Sequence, residues 1–543
     1  MAENNDVVFS LISAGAAFPL LYWQGCTYSA LFIFFIFMYF LSKLRGVEKI
    51  VAPPDFKVLI IGSGVSGICM GKKLNDVGIK YTILEKSANL GGTWYDNIYP
   101  GVACDVPSHL YSFSFFLNPF WSRAFSKGKE IHEYLQAAAS KFGVYPHVQY
   151  EKHVSSATWD KKTNLWTVLT KDGSSYTANI LISGCGGLHV PRFPDYKGMD
   201  LFKGESFHTA LWNKDFDPTN KRIAVLGTGA SAVQAVPNLA EMGVKSLTVF
   251  QRTPCWAPPR FDYEYPEYVK TIFNLFPFTN TLLRYFYFWR NEFRFRIIFT
   301  KSAWITQKLS AVVHKQVRGY CQMMIKDKEL ASKLIPDYDM GCKRITPSDT
   351  YLQAFNKDNV HLVTDKISEI TETCVRTADG REHEIDALIY ATGFDLLKSA
   401  KPFTQVGLQG KPLHEIFDDA PYAYLGIAHD NNPNCFWLLG PGTGLGHNSI
   451  IYMIECEANY TIDAIRKMLA KGAKSMVVKK HVQRNYWDWV QDNMKGKVFA
   501  DNSACTGWYR NSRGVNWTLW PQDLVSYWWK TKSCDLQDYN LSY

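Results

Sequence analysis

The sequence predicts an α/β protein built from doubly wound units, on three observations. An apolar, β-branched run, KVLII, leads straight into the glycine loop GSGVSG, which contains Gly62, Gly64 and Gly67. A second run, RIAVL, leads into a near-copy, GTGASA, which spans Gly227, Thr228, Gly229, Ser231 and Ala232. Each loop is followed by helix-compatible sequence and a further short apolar strand, YTILE or LTVFQ, the order of a βαβ unit.

The glycines have separate tasks. One makes a tight turn, one lets backbone approach a pyrophosphate, and one packs helix on strand. The ends of the second strands distinguish the two units. YTILE ends at Glu85, about 20 residues past the loop, where a carboxylate accepts two ribose hydroxyls. LTVFQ runs into Arg252 and Thr253. A cation there suits the extra 2′-phosphate of NADPH, which a carboxylate would repel. The first unit is therefore expected to hold FAD and the second NADPH. The stretches NILISGCGG and DALIYATGFD read as strands ending in small-residue turns that admit a flat cofactor. The expected layout is two Rossmann-like, three-layer dinucleotide-binding domains. The FAD domain covers residues 50–190 and 384–543, the NADPH domain covers 191–258 and 338–383, and a helical insertion covers 259–337.

At 543 residues the chain is too long for one ordinary core. Its 47% apolar content and net charge of +9 are those of a globular, mildly basic protein, with no nucleic-acid-binding motif. Twelve cysteines show neither a CxxC pair nor a metal-type spacing, so most are expected to be reduced and inert, with no metal bound. The segment Val7 to Ser42 has no charged residue, and its second half is TYSALFIFFIFMYFLS. With its flanks this suffices for a span of about 20 apolar residues. Glu3 and Asp6 precede it, and Lys43, Arg45 and Lys49 follow. The positive-inside rule then gives a membrane anchor over residues 1–49, in the endoplasmic reticulum, with the catalytic part in the cytosol. Within the insertion, TIFNLFPFTNTLLRYFYFWRNEFRFRIIF reads either as helices packing their own core or as a second membrane-contacting surface.

Two stretches between these landmarks carry a family resemblance. They are GGTWYDNIYPGVACDVPSHLYSF (Gly91 to Phe113) and FKGESFHTALWN (Phe202 to Asn213). They resemble class B flavoprotein monooxygenases of the Baeyer–Villiger type, nearest to fungal secondary-metabolism members, and the resemblance covers residues 55 to 530. The family fingerprint is F-x-G-x-x-x-H-x-x-x-W followed by Pro or Asp. Phe202, Gly204, His208 and Trp212 match it, and Asn213 departs from it. The resemblance implies an enzyme that uses FAD, NADPH and O2 to turn a ketone into an ester or lactone.

It also implies roles. Arg344, in GCKRITPSDTY, matches the catalytic cation, and Asp105 matches the flavin-side carboxylate that orients it. Arginine suits this task because it keeps its charge, and a fixed cation stabilises the negative charge of ketone oxidation. Thr93, Trp94, Tyr95, Asp96 and Tyr111 match positions around the flavin. Lys343 matches a position by the NADPH 2′-phosphate, and Trp508 one at the nicotinamide. His208 is implied to belong to a hinge-like segment coupling the two domains rather than to act as a base, and Trp212 to pack. GPGTGLGHN (Gly440 to Asn448) reads as backbone approaching the flavin. Asn213 leaves room for epoxidation, hydroxylation or S- or N-oxygenation on the same fold. A flavin reductase without oxygenation would not need Arg344 with Asp105. Aromatic surroundings and the anchor favour a bulky, lipophilic substrate.

Overall fold

The structure, a computed structural model, describes residues 47–300, 304–417, 419–501, 507 and 509–543. Residues 1–46 of the expected anchor, and Trp508, lie outside these residues. Among the described residues no helix is long and apolar enough to cross a membrane.

The run KVLII forms β1 (Val58–Ile61), the glycine loop turns into α1 (Val65–Val77), and YTIL forms β2 (Tyr81–Leu84). Helix α2 (Gly128–Lys141) and strand β3 (Val148–Gln149) follow. The antiparallel strands β4 (Val154–Asp160), β5 (Leu165–Thr170) and β6 (Ser175–Ala178) then lead back to β7 (Ile180–Ser183). The second lobe repeats the plan with β8 (Glu205–His208), β9 (Arg222–Leu226), α3 (Ala230–Ala240) and β10 (Ser246–Phe250). Helices α4 (Glu267–Leu275), α5 (Pro277–Ile298), α6 (Trp304–Met324) and α7 (Lys328–Leu334) come next. The chain returns through β11 (Val360–Val363), the meander β12 (Ile367–Ile370), β13 (Cys374–Thr377) and β14 (Glu382–Glu384), and β15 (Ala387–Tyr390). It continues with β16 (Thr404–Val406), β17 (Cys435–Trp437), α8 (Ile450–Ala470), α9 (Lys480–Met494) and α10 (Leu524–Thr531), and closes with a strand over Tyr539–Ser542 that pairs antiparallel with Ser475–Val478.

Two parallel sheets organise these elements, in the orders β17-β7-β1-β2-β3 and β11-β10-β9-β15-β8. Strands buried on both faces are continuous apolar runs, as parallel sheets require; β1 and β15 are buried at every position. In the second lobe, Val233, Val236 and Leu239 of α3 pack on Ile223, Val225 and Ile389.

The topology corrects one expected boundary. DALIYATGFD was assigned to the resumed first domain, from residue 384. Its strand β15 instead pairs in parallel with β9 and β8, with Ala387 opposite Ile223 and Glu205. An apolar strand ending in small residues reads alike in either sheet, and only its partners tell them apart. The chain returns to the first lobe just after β15, and β16 pairs with β4. The two crossings between lobes also lie side by side. Arg192 N–H donates to the Gly393 carbonyl at 2.9 Å, and Asp395 N–H to that of Val190 at 2.9 Å.

The insertion forms the expected helices but does not close a core of its own. Phe295, Ile298 and Phe299 share one cluster with Val490, Met494, Phe499 and Leu519 from the C-terminal region. Most described cysteines are free thiols, as expected, but Cys342 is disulfide-bonded.

Candidate active site

The first glycine loop fits a pyrophosphate. Gly62 holds φ at +96°, and a Cβ there would stand 2.7 Å from the Gly184 carbonyl. Gly64 caps α1 without any side-chain hydrogen bond, so the amides of the first turn remain available to an anion. Glu85 is buried behind the loop. Its Oε2 accepts from Ser63 N–H at 2.7 Å and Ser63 Oγ at 2.8 Å, and Oε1 accepts from Ser87 N–H at 2.9 Å. The carboxylate thus fixes the loop, and Oε1 keeps capacity for a ribose hydroxyl. Residues Thr93–Asp96 form one helical turn. Trp94 Nε1 donates to Tyr111 Oη at 3.1 Å, with the rings edge to face. Tyr95 packs on His132 of α2, and Asp96 Oδ1 accepts from Ser87 Oγ at 2.9 Å.

The second loop fits a dinucleotide with one more phosphate. Gly227 holds φ at +110°, while the space where a Gly229 side chain would stand is open. Ala232 is fully buried under the loop, and Ser231 is half-buried beside it. Thr228 Oγ1 donates to the Thr253 carbonyl at 2.7 Å, tying the loop to the strand end that carries Arg252. Burial lowers the Lys343 pKa, and the neighbouring Arg252 charge lowers it further, with Asp337 opposing. Two cations held together against mutual repulsion suit a dianionic phosphate.

Asp105 and Arg344 meet where these cradles adjoin. Arg344 Nε donates to Asp105 Oδ2 at 2.9 Å and Nη2 to Oδ1 at 2.7 Å, and Nη1 reaches the Leu445 carbonyl at 3.4 Å. Of five N–H groups, one on each terminal nitrogen is left. The Arg344 side chain is 34% exposed although it is densely surrounded, as for a group lining a cleft. Asp105 pushes its pKa up, against the cost of burial. The charges of this pair also act on the Tyr111 and Tyr509 hydroxyls.

Backbone strain and one glutamine position Asp105. Gly101 holds φ at +82°, with its Cβ space taken by the Gln234 carbonyl and Asn238 of α3. Gln234 brackets Ala103, donating from Nε2 to its carbonyl at 2.8 Å and accepting its N–H at 3.3 Å. Tyr99 Oη donates to the same Gln234 Oε1 at 2.8 Å. The Asp105 segment of the first lobe is thereby clamped to the cofactor helix of the second.

The fingerprint lies elsewhere. His208 is fully buried at the end of β8, its Nδ1 accepts from Ala210 N–H at 3.0 Å, and burial lowers its pKa to about 4. Its ring is edge to face with Phe193 at 5.5 Å and Phe394 at 5.9 Å. These residues flank the paired crossings, so His208 sits at their foot. Phe202 packs against the core of β9 and β15. A Gly204 Cβ would collide with the Asp386 carbonyl. Trp212 packs edge to face on Phe207 and Phe216. Asn213 is exposed, and its Oδ1 accepts from Asp215 N–H at 3.1 Å, a turn that an Asp would make equally well.

Sequence reading missed Tyr509, the Leu445 carbonyl and Glu457. Tyr509 follows the expected Trp508, and Leu445 belongs to the loop expected to bring backbone to the flavin. Glu457 has no local signal. It is buried in α8, where its Oε2 accepts Leu439 N–H at 2.8 Å, beside that loop. A separate cleft of about 510 Å³, lined by His153, Lys171, Lys398 and His414 among others, contains none of these residues.

Comparison with known proteins agrees with this geometry. A model of flavin-binding monooxygenase-like proteins matches residues 55–407. A Baeyer-Villiger monooxygenase of Streptomyces coelicolor is 37% identical over 487 residues, covering 89% of this chain and 92% of that protein. FAD-binding monooxygenase ktnD of Aspergillus niger is 35% identical over 487 residues, covering 87% and 79%. Among solved structures, OTEMO complexed with FAD and NADP superposes with a TM-score of 0.80 at 26% identity, covering 90% of this chain and all of that one. Closed cyclohexanone monooxygenase gives 0.78 at 25% identity, covering 90% and 99%.

Proposed function

The chain belongs to the flavin-binding monooxygenase-like family and is a FAD- and NADPH-dependent monooxygenase; from that premise we propose that it inserts one oxygen atom beside the carbonyl of a lipophilic ketone, giving an ester or lactone. The observation that carries this reading is the two-pronged Arg344–Asp105 pair at the meeting of the two cradles. FAD, when bound and reduced by NADPH, supplies activated dioxygen.

The protein's own residues then have three tasks. Arg344 offers its two remaining N–H groups to the negative charge that develops on oxygen as the carbonyl is attacked. Asp105 aligns the guanidinium and keeps it charged. Gln234 holds the Asp105 segment in place from the other lobe, and Gly101 lets that segment approach it. Arg252 and Lys343 select NADPH over NADH through the 2′-phosphate. His208, neutral and wedged under the paired crossings, acts in coupling the lobes rather than in moving protons.

Purified, FAD-loaded protein supplied with NADPH, isotopically labelled O2 and a panel of ketones and sulfides tests the reading. Label in the ring oxygen of a lactone supports it. Hydrogen peroxide alone, or sulfoxides with no ester from any ketone, would overturn it. The apolar run at Thr27 to Ser42 supports anchoring in the endoplasmic reticulum with the enzyme on the cytosolic face, and protease protection in microsomes tests that.

A further inference from the structure

The outer face of the helical insertion is more apolar than that of a helix in water. On α5 the buried residues mix Asn280, Arg284, Asn291 and Glu292 with Tyr287, Phe288, Phe295 and Ile298, so the inner side does not account for all of its apolar residues. Phe278, Leu282, Tyr285, Phe286, Trp289 and Phe293 are exposed, with Trp289 at 58% and Phe293 at 64%. These exposed residues recur at spacings of three and four, forming one stripe along the helix. Helix α4 exposes Tyr268, Ile272 and Leu275, and α6 exposes Ile305, Leu309 and Val312 at the same spacing. Both pack against α5. Two of the buried charged groups are held by inward hydrogen bonds. Arg284 donates to the carbonyls of His109, Leu110 and Ser112 at 2.8–3.2 Å. Glu292 accepts from Asn448 Nδ2 at 2.6 Å and Leu524 N–H at 2.9 Å.

The charge pattern selects the occupant. Residues 267–326 contain ten Lys and Arg, of which Arg284 is buried, and two acidic residues, Glu267, paired with Lys270, and Glu292, which is buried. Lys308 stands over the exposed Trp304 ring at 5.0 Å, the pairing of aromatic and cation found where a protein meets lipid headgroups. A second copy of the chain would set this cationic face against itself across a two-fold axis. The uncharged stretch from Val7 to Ser42 would cover the aromatics but leave the cations unneutralised. We propose that the outer face of α4, α5 and α6 rests on an anionic bilayer surface, with the aromatic stripe at the level of the acyl boundary and the Lys and Arg among the headgroups. The inner side of α5 reaches the segment carrying Tyr111 and, through Asn448, the loop that touches Arg344. One helix therefore separates the lipid from the site. This inference does not depend on which oxygenation the enzyme performs.

The test uses the full-length, FAD-loaded protein and vesicles of phosphatidylcholine with phosphatidylserine, doped with a phosphatidylcholine bearing a photoactivatable acyl chain. After irradiation, mass spectrometry locates the labelled peptides. Label is expected between Glu267 and Met324. It should fall at least fivefold in the variant F286S/W289S/F293S, and fall again without phosphatidylserine or in high salt. Flavin absorbance and turnover of a water-soluble ketone should be unchanged in that variant, which shows that it has folded. Label confined to residues 1–46, label absent altogether, or a dimer in vesicle-free solution that the variant abolishes would each overturn the proposal.

Discussion

Asp105 grips Arg344 along one edge of the guanidinium, with Nε at 2.9 Å from one carboxylate oxygen and Nη2 at 2.7 Å from the other. That geometry aims the opposite edge into the cleft. Arg344→Ala should lower ester formation by at least about 10²-fold, the cost of losing one preorganised charge donor, while NADPH still reduces the flavin. Arg344→Lys should fare little better, because one ammonium cannot meet both carboxylate oxygens and the cleft. Product yield measured against NADPH consumed separates the two steps. Ester formed at the normal rate by Arg344→Ala would remove the residue from the chemistry.

Arg252 and Lys343 form the second pair whose loss is readable. Each charge-assisted contact to a 2′-phosphate contributes about 1.5–3 kcal/mol. Arg252→Ala should therefore raise the KM for NADPH about 10- to 100-fold and leave that for NADH nearly unchanged. Equal effects on the two nucleotides would place Arg252 outside the phosphate site.

Gln234 offers a test of the clamp between lobes. Gln234→Ala removes three hydrogen bonds that hold the segment leading to Asp105. Stability should fall by about 1–2 kcal/mol, and the share of NADPH wasted as hydrogen peroxide should rise. Unchanged coupling in the presence of that stability loss would restrict Gln234 to a packing role.

Glu457 predicts a pH dependence. Burial raises its carboxyl from an ordinary value of 4.5 to about 8. The single hydrogen of Tyr527 Oη cannot serve both its neighbours, the Leu425 carbonyl at 2.8 Å and Glu457 Oε1 at 3.1 Å, and a protonated Glu457 satisfies both. Between these two pH values the unfolded chain releases this proton and the folded one keeps it, so the contribution to stability is full below about pH 4.5 and is lost as pH rises through about 8. Glu457→Gln should unfold at a higher temperature than the parent at pH 9 and show a flatter decline from pH 5. A parallel decline in the two proteins would mean that another group titrates.

Asn213→Asp should leave the chemistry unchanged. Asn213 is exposed and its turn survives the change, but its Nδ2 hydrogen bond to Glu205 Oε2 at 3.1 Å becomes a contact of two carboxylates, so stability should fall by up to about 1 kcal/mol while the product distribution should not move. A switch between ester and sulfoxide products would show that this position reaches the chemistry.

The legible parts of this protein are those where a residue type answers a local demand. Gly62, Gly227, Glu85 and Arg252 lie where turn geometry and phosphate or ribose chemistry leave little choice, and their spacing alone exposes them. Arg344 and Asp105 are far apart in the chain and were brought together by resemblance rather than by spacing. The side of the crossing on which β15 lies was not legible, because a buried parallel strand looks the same in every sheet. The orientation of α5 was equally hidden. A period near 3.6 reveals faces but not which one points inward, and here both carry aromatics while Asn280, Arg284, Asn291 and Glu292 join the inner one. Glu457 reads as any helix acid until Tyr527 and Leu439 surround it.

The paired crossings at Val190–Arg192 and Gly393–Asp395 carry a further meaning. They bring the start and finish of a 200-residue excursion to the same spot, with Thr392 Oγ1 bonded to the Arg192 carbonyl. A segment whose two ends touch can be added to or taken from a host fold without stretching it. The NADPH lobe is thus a guest seated in the flavin lobe. Exchanging residues 193–258 and 338–392 for the corresponding stretches of a related enzyme, with the host's own insertion kept because Phe295 and Ile298 share a core with Val490 and Met494, offers a route to hybrids that change nucleotide preference while the host's flavin cradle stays whole.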